Sequence, residues 1–415
     1  MRLLFVVQRF GREALGGAER HCREFAIRLA GRGHDVEVIT SCAISYVDWA
    51  NEYPAGTEIA DGVRVHRLPV RVPRDDRFFG PLHRRVVGSR RPVAHHVQRE
   101  WMRMLGPDLP DLPAWLRGHA GDFDAVIFFT YLYASSYDGL HAVAGLAPTV
   151  LHPLAHDEPA LRLGLFDPMF HLVDAFGYNT EEEQTLVEGR FGVFRPSIVI
   201  GMGVDLDSVD SESHDVAGFR ARFGLGDTPY LLYVGRVDPG KGSGELAAMF
   251  GAYTSRHAEP VALVVLGDPV SELPTEAGAV LTGAVDEETK ETALAGCLGL
   301  AQPSYYESLS IVLIEAWAHQ RPALVQGHCE VLVGQARRSG GAIPYRGFAE
   351  FEGALEMLVE SAELAASLGA AGRTYVESRY RWDDLLVRYE DFVENVVATW
   401  RRQSGPDRRR RALAL

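Results

Sequence analysis

Buried strands alternating with amphipathic helices predict an α/β chain of two domains, each a parallel sheet covered by helices. Three observations carry the prediction. The chain has 415 residues, too many for one ordinary core, so two domains of about 200 residues are expected. Leu3 to Val7 and Tyr230 to Val234 are continuous apolar runs of strand length, each opening one half of the chain. Both halves then repeat strand, glycine-bearing loop and helix, the signature of parallel sheets built from crossover units.

Composition narrows the class. A hydrophobic share of 47% and a charged share of 24% belong to a soluble globular protein. No apolar run approaches the ~18 residues needed to span a bilayer. The opening Met1 to Val7 is interrupted at once by Gln8 and Arg9, so it lacks a secretory core and is expected to be a strand. Cys22, Cys42, Cys297 and Cys329 form neither a Cys-x-x-Cys pair nor a disulfide scaffold, which points to a reducing cytosol. A formal charge of −14 argues against nucleic acid as a partner. Of the 42 basic residues only Lys241 and Lys290 are lysine, a usage that suits a GC-rich coding bias and makes Lys241 informative.

In the first half, the loop after the opening strand ends in Gly16-Gly17-Ala18-Glu19. A helix follows with Cys22, Phe25, Ala26 and Leu29 on one face, and Val36 to Thr40 is the next strand. Glycines at a strand-to-helix turn let a backbone approach a ligand closely, or simply make a tight turn. The spacing is not Gly-x-Gly-x-x-Gly, so a dinucleotide site is not supported. From Arg64 to Arg103 eleven arginines face three acidic residues, with Phe78, Phe79 and Trp101 interleaved. Such a mixture can dock on an anionic membrane or form a solvated, mobile insertion, and its prolines make a single amphipathic helix before Pro92 unexpected. Asp124 to Thr130 and Thr149 to Leu154 are further strands. The second leads into His156-Asp157-Glu158-Pro159 at the strand end where open α/β sheets bind ligands.

In the second half, Asp207 to Asp227 is polar and serves as a linker. The strand Tyr230 to Val234 delivers Gly235-Arg236-Val237-Asp238-Pro239-Gly240-Lys241-Gly242, where a guanidinium fork and an ammonium can clamp two phosphates. Val261 to Leu266 with Gly267-Asp268 is the next strand and turn. After Val280 to Gly283 and a helix over Asp286 to Gly296, Leu298 to Gln302 leads into the most informative stretch. There Glu307 precedes a Ser308/Ser310 cap and roughly three turns of helix ending near Pro322. The helix start suits the phosphates of a bound anion. Glu307 can reach a sugar hydroxyl, and Glu315, two turns on, a ribose diol.

The residues Pro303-Ser304 before Glu307, Glu315-Ala316-Trp317-Ala318 inside the helix and Arg321-Pro322-Ala323-Leu324-Val325 after it resemble the retaining glycosyltransferases of family 4, whose hallmark is a Glu-x7-Glu segment. The resemblance spans most of the chain. It implies a GT-B fold of two Rossmann-like domains facing a cleft, with residues 1–205 holding the acceptor and 206–381 the nucleotide sugar. It further implies a helix over 382–402 returning to the first domain, followed by a basic tail over 403–415, expected to be disordered. In family terms Gly16 and Gly17 touch the acceptor or the diphosphate. His156, with His152 as second choice, reaches the donor sugar. Arg236 and Lys241 neutralise the leaving diphosphate, helped by the backbone of Ser308, Leu309 and Ser310; Gly235 and Gly267 line the donor, and Glu315 binds its nucleoside.

The activity so implied is transfer of a hexosyl group from a UDP- or GDP-linked sugar to a hydroxyl of a glycan, lipid-linked or small-molecule acceptor, without cofactor or metal. Glu307 orients the sugar and stabilises charge at its anomeric carbon, while the donor's own phosphate oxygen takes the acceptor proton. Relatives that use lipid-linked acceptors work at the inner face of a membrane, where residues 64–103 could dock. A sugar phosphorylase of the same fold and a non-catalytic nucleotide-sugar-binding protein are the alternatives. One departure stands out: relatives carry Glu-Gly-Phe or Glu-Gly-Leu, whereas this chain has Glu307-Ser308-Leu309-Ser310, and serine tolerates unusual dihedrals less well.

Overall fold

In a computed structural model, the structure describes residues 1–14, 16–211, 214–267 and 278–403. The chain divides into two compact units: Met1–Gly201 together with the segment from Leu386, and Met202–Leu385.

The first unit holds eight strands: β1 (Arg2–Val6), β2 (Asp35–Ser41), β3 (Gly56–Ala60), β4 (Val63–Leu68), β5 (Ala125–Phe129), β6 (Thr149–His152), β7 (Ala175–Tyr178) and β8 (Ser197–Val199). Their order is β3-β4-β2-β1-β5-β6-β7-β8, parallel throughout except for the β3–β4 hairpin at one edge. β1 and β5, central in the sheet, are wholly apolar inside, as strands covered on both faces must be. The hairpin turns on Asp61 and Gly62, both at positive φ.

The arginine-rich stretch is more regular than its sequence suggests. After β4 it forms the helix Asp76–Val87 and then His95–Leu105. The first is an amphipathic helix before Pro92, where the prolines made one unexpected. Asp75 caps it by accepting from the Arg77 amide at 2.9 Å, and Pro81 lies inside it on an exposed face. Phe79 and Val86, seven apart, provide the buried stripe that outweighs the proline.

The terminal helix Trp382–Gln403 belongs, from Leu386, to the first unit. Its Tyr389 hydroxyl lies 2.8 Å from His152 Nε2, in a core of His21, Phe25 and Phe129. Glu390 meets Arg32 at 2.7 Å and His34 at 2.9 Å. Both core histidines are held neutral: burial pulls His21 down to about 3, and burial with the neighbouring His21 takes His152 well below its ordinary range. The tail residues 404–415 lie outside the described residues.

The second unit holds β9 (Tyr230–Val234), β10 (Ala262–Leu266), β11 (Val280–Gly283), β12 (Gly299–Gln302), β13 (Ala323–Gln326) and β14 (Ala342–Tyr345), in the order β11-β10-β9-β12-β13-β14, all parallel. Counted from β9 this is 3-2-1-4-5-6, the doubly wound order whose direction reverses between its first and fourth strands. The expected linker over 207–227 contains helices Leu206–Ser211 and Val216–Arg222 and lies within this unit. A helix that the sequence reading passed over, Ala362–Arg379, packs on the helix Ile311–Ala318. Gly372 makes room there for the Trp317 indole, where a Cβ would collide.

Candidate active site

Two loops leave the sheet of the second unit on either side of its switch point, one after β9 and one after β12. Ligands of open α/β sheets bind at that crevice, because helices start there on opposite faces and leave a gap. The loops are locked by close backbone approaches. Gly235 and Gly267 adopt φ of 151° and 147°, and a Cβ on Gly267 would collide with the Gly235 carbonyl. Gly242, at φ 70°, brings its α-carbon so near Pro303 that a Cβ would sit 2.5 Å from that carbonyl oxygen. Glycine is required at both positions. Asp268 lies outside the described residues.

Between Gly235 and Gly242 the chain makes one turn of 3-10 helix, Pro239–Lys241. The Tyr233 hydroxyl donates to the Arg236 carbonyl at 2.7 Å, and the Lys241 amide donates to Asp238 Oδ1 at 3.1 Å. These bonds present Arg236, whose side chain is 48% exposed and 3.8 Å from Asp238, and Lys241, at 34%. Lys241 Nζ donates to Glu307 Oε1 at 2.8 Å. Two residues 66 apart in sequence are thus one ion pair at the switch point, with Glu307 only 12% exposed.

The loop after β12 is built inward from Ser304, fully buried, whose hydroxyl donates to the Tyr306 carbonyl at 3.1 Å. Leu309 and Ser310 are buried. The helix runs over Ile311–Ala318, shorter than expected, and Ser310 does not cap it as the sequence suggested. Ser310 sits at φ 66°, and its hydroxyl instead accepts from Gln302 Nε2 at 2.6 Å. That left-handed backbone turns the side chain back to the strand end, away from the first-turn amides.

Glu315 is deeper, 4% exposed. Lys290, from the helix Glu287–Gly296, holds it: Nζ lies 2.7 Å from Glu315 Oε1, 2.7 Å from Glu287 Oε1 and 3.2 Å from Glu291 Oε1. His319 Nε2 lies 2.6 Å from the other Glu291 oxygen. Burial raises Glu291, but the His319 hydrogen bond and the Lys290 charge bring it below the usual carboxylate range. The three carboxylates converge within 4.8 Å, the one such acidic cluster among the described residues, and the lysine ammonium is their counter-ion. Sequence reasoning missed Lys290. Its signal was rarity, as one of two lysines among 42 basic residues.

The remaining predicted residues are in the first unit. His156 follows β6 in a loop whose Leu154 takes φ 51°. Glu183, fully buried, accepts from the amides of Ala155 and Asn179, each at 2.6 Å, and so pins this loop. Burial lifts Glu183 to about 8 against the pull of those amides. His156 Nδ1 lies 3.5 Å from the Glu158 carboxylate, which accepts from the Tyr131 hydroxyl at 2.7 Å. The second choice, His152, is fully buried against Tyr389 and stacked on Phe129, so it serves the core.

Gly16 precedes the helix Gly17–Gly31. A Cβ there would collide with Glu19 and come 3.1 Å from Arg9, which pairs with Glu19 at 2.6 Å. A Cβ on Gly17 would meet nothing within 4 Å.

Residues 15–208 match the model described as Glycosyltransferase Family 4, and residues 228–361 that described as Glycosyl transferases group 1. Among curated proteins, the chain is 29% identical over 234 residues to a D-inositol 3-phosphate glycosyltransferase of Kineococcus radiotolerans, covering 54% of this chain and 49% of that protein. A protein of the same name from Streptomyces scabiei is 25% identical over 396 residues, 89% of this chain and 84% of that one. A GDP-mannose-dependent phosphatidylinositol monomannoside mannosyltransferase of Mycobacterium tuberculosis is 28% identical over 209 residues, 46% and 54% respectively. The match thus spans about half the length of the first and third of these relatives.

Among solved structures, sucrose-phosphate synthase from Thermosynechococcus elongatus superposes with a TM-score of 0.70 at 18% identity, covering 96% of this chain and 100% of that one. Anabaena HepE in complex with UDP superposes with a TM-score of 0.68 at 15% identity, covering 95% and 100%. With a parallel sheet in each unit, the fold is GT-B. The two matched stretches together take in most of both units, and the chain belongs to the glycosyltransferases of family 4.

Proposed function

We propose that this protein transfers a hexosyl group from a UDP- or GDP-linked sugar to a hydroxyl acceptor, retaining the anomeric configuration. The observation that carries the reading is the Lys241–Glu307 pair at the switch point of the second unit's sheet. A cation on one loop and a carboxylate on the next meet where a diphosphate would pass to the sugar it carries. Arg236 and Lys241 neutralise the departing diphosphate, and the first amides of the helix Ile311–Ala318 add their partial charge. Lys241 exchanges part of its contact with Glu307 for a phosphate oxygen when donor binds. Glu307 then turns to the sugar and stabilises positive charge growing at its anomeric carbon. The donor's phosphate oxygen accepts the acceptor's proton, so the usual hydrolase pair of carboxylates is not needed. His156, on its pinned loop, is the residue of the first unit assigned to the sugar, and Gly16 and Gly17 border the acceptor or diphosphate.

These cations make a resident metal unnecessary, so activity is expected to persist in EDTA. The relatives named above act on inositol phosphate or phosphatidylinositol mannoside, which supports a polyol or lipid-linked acceptor. The helix Asp76–Val87 exposes Arg77, Phe78, Arg84 and Arg85, with Phe78 at 67%, and is suited to an anionic membrane. Co-sedimentation with liposomes that ignored anionic lipid would remove the membrane part. Thermal shifts with UDP, GDP and their sugars test the donor, since stabilisation follows affinity. Silence across that panel would sink the proposal.

A further inference from the structure

Both lysines of this arginine-rich chain contact the two glutamates of the Glu-x7-Glu segment: Lys241 meets Glu307 and Lys290 meets Glu315. The second pair is the more buried, with side chains 10% and 5% exposed. Glu315 and Glu291, 5% and 17% exposed, lie with the solvent-facing Glu287 too close together for all three to stay ionised without a cation among them. An ammonium offers three donors from a single point and can meet oxygens arriving from three helix positions. A guanidinium spreads its donors over a plane and would not fit the same nest.

We propose that Lys290 is a positioning residue for nucleotide recognition, holding Glu315 ionised and aimed so that it accepts hydroxyls of the donor's ribose. Glu291 and His319 complete the support, since His319 fixes Glu291 and Glu291 steadies the ammonium. The role rests on the nucleotide-sugar reading above. A carboxylate that lost its cation here would take up a proton or turn away, and a diol would lose a charge-assisted acceptor.

The chain's economy in lysine gives a direct test on the unmodified protein. Lysine labelled with 13C at Cε gives two signals, assigned with Lys241→Arg. Titration with UDP and GDP should move both, Lys241 through the diphosphate and Lys290 through the ribose. With the 2′-deoxy form of whichever nucleotide binds, the Lys241 shift should persist and the Lys290 shift should shrink. A Lys290 signal indifferent to the 2′-hydroxyl overturns the proposal, whereas two signals indifferent to every nucleotide overturn the donor reading itself. In a second measurement, Lys290→Met should weaken the ribonucleotide about 10-fold, a loss of about 1.4 kcal/mol, while the 2′-deoxy form binds as before. If Met alone leaves too much negative charge to fold, Lys290→Met/Glu291→Gln removes the repulsion and serves instead. An unchanged preference for ribose in the folded variant overturns the role of Lys290.

Discussion

The two units each place an ion pair after the strand on which their sheet's order turns, and the pairs differ in one respect. In the first unit Arg9 follows β1 and closes on Glu19 at 2.6 Å, with both side chains 5% exposed and Gln8 also donating to the same carboxylate at 2.8 Å. In the second, Lys241 follows β9 and meets Glu307 with a third of the lysine in solvent. A pair sealed on all sides spends its charge on holding the loop. A pair left open keeps charge available to a ligand. The same topology therefore yields a sealed brace in one unit and a partly solvated pair in the other.

Substitutions separate the two roles. The largest effect on folding is expected at the brace: Glu19→Ala strands Arg9 in the interior and should cost about 3–5 kcal/mol, read as a lower urea midpoint. A loss under about 1 kcal/mol would show that the first pair is as dispensable as a surface pair. Next comes the open pair, where Glu307→Gln and Lys241→Ala should each lower turnover at least about 100-fold. Their stability should change by less than about 1 kcal/mol, because the lysine is partly solvated. Near-normal turnover in either variant would remove the distinction from its other side.

Acid should act on the first unit. His21 and His152 stay neutral in the fold but bind protons in the unfolded chain below about 6.5. Their contribution is complete above that pH and is lost on acidification, by about 1.4 kcal/mol per imidazole per pH unit, down to about 3 for His21. Buried Glu183, protonated in the fold, opposes part of this loss, so the check is made on Glu183→Gln: a flat stability profile between pH 7 and 5 in that variant would contradict the buried neutral pair. The smallest effect is expected for Ser310→Gly. It relieves about 1 kcal/mol of left-handed strain and forfeits about as much in the Gln302 hydrogen bond, leaving the melting temperature within a few degrees.

What could be read in advance follows the range of the interaction. Strands such as Tyr230–Val234 announce themselves because both faces are buried, and the loops carrying Arg236, Lys241 and Glu307 follow from where those strands end. The helix Asp76–Val87 was hidden by Pro81, since local breakers are visible in sequence while the packing of Phe79 and Val86 is not. Ser310 is a favourable cap by residue type, but its backbone angle is set by the burial of Leu309 and the reach of Gln302, which no local rule contains. Lys290 was passed over because its partner lies 25 residues away.

The helix that carries Tyr389 and Glu390 into the first unit also sets an order of events during synthesis. The second unit is a single continuous segment, complete once Leu385 has been made, whereas the first awaits residues near 390 to cover His152 and to pair Arg32. The half that emerges first from the ribosome is therefore the last able to close, and a chain stopped before Tyr389 exposes aromatic surface that the finished protein conceals.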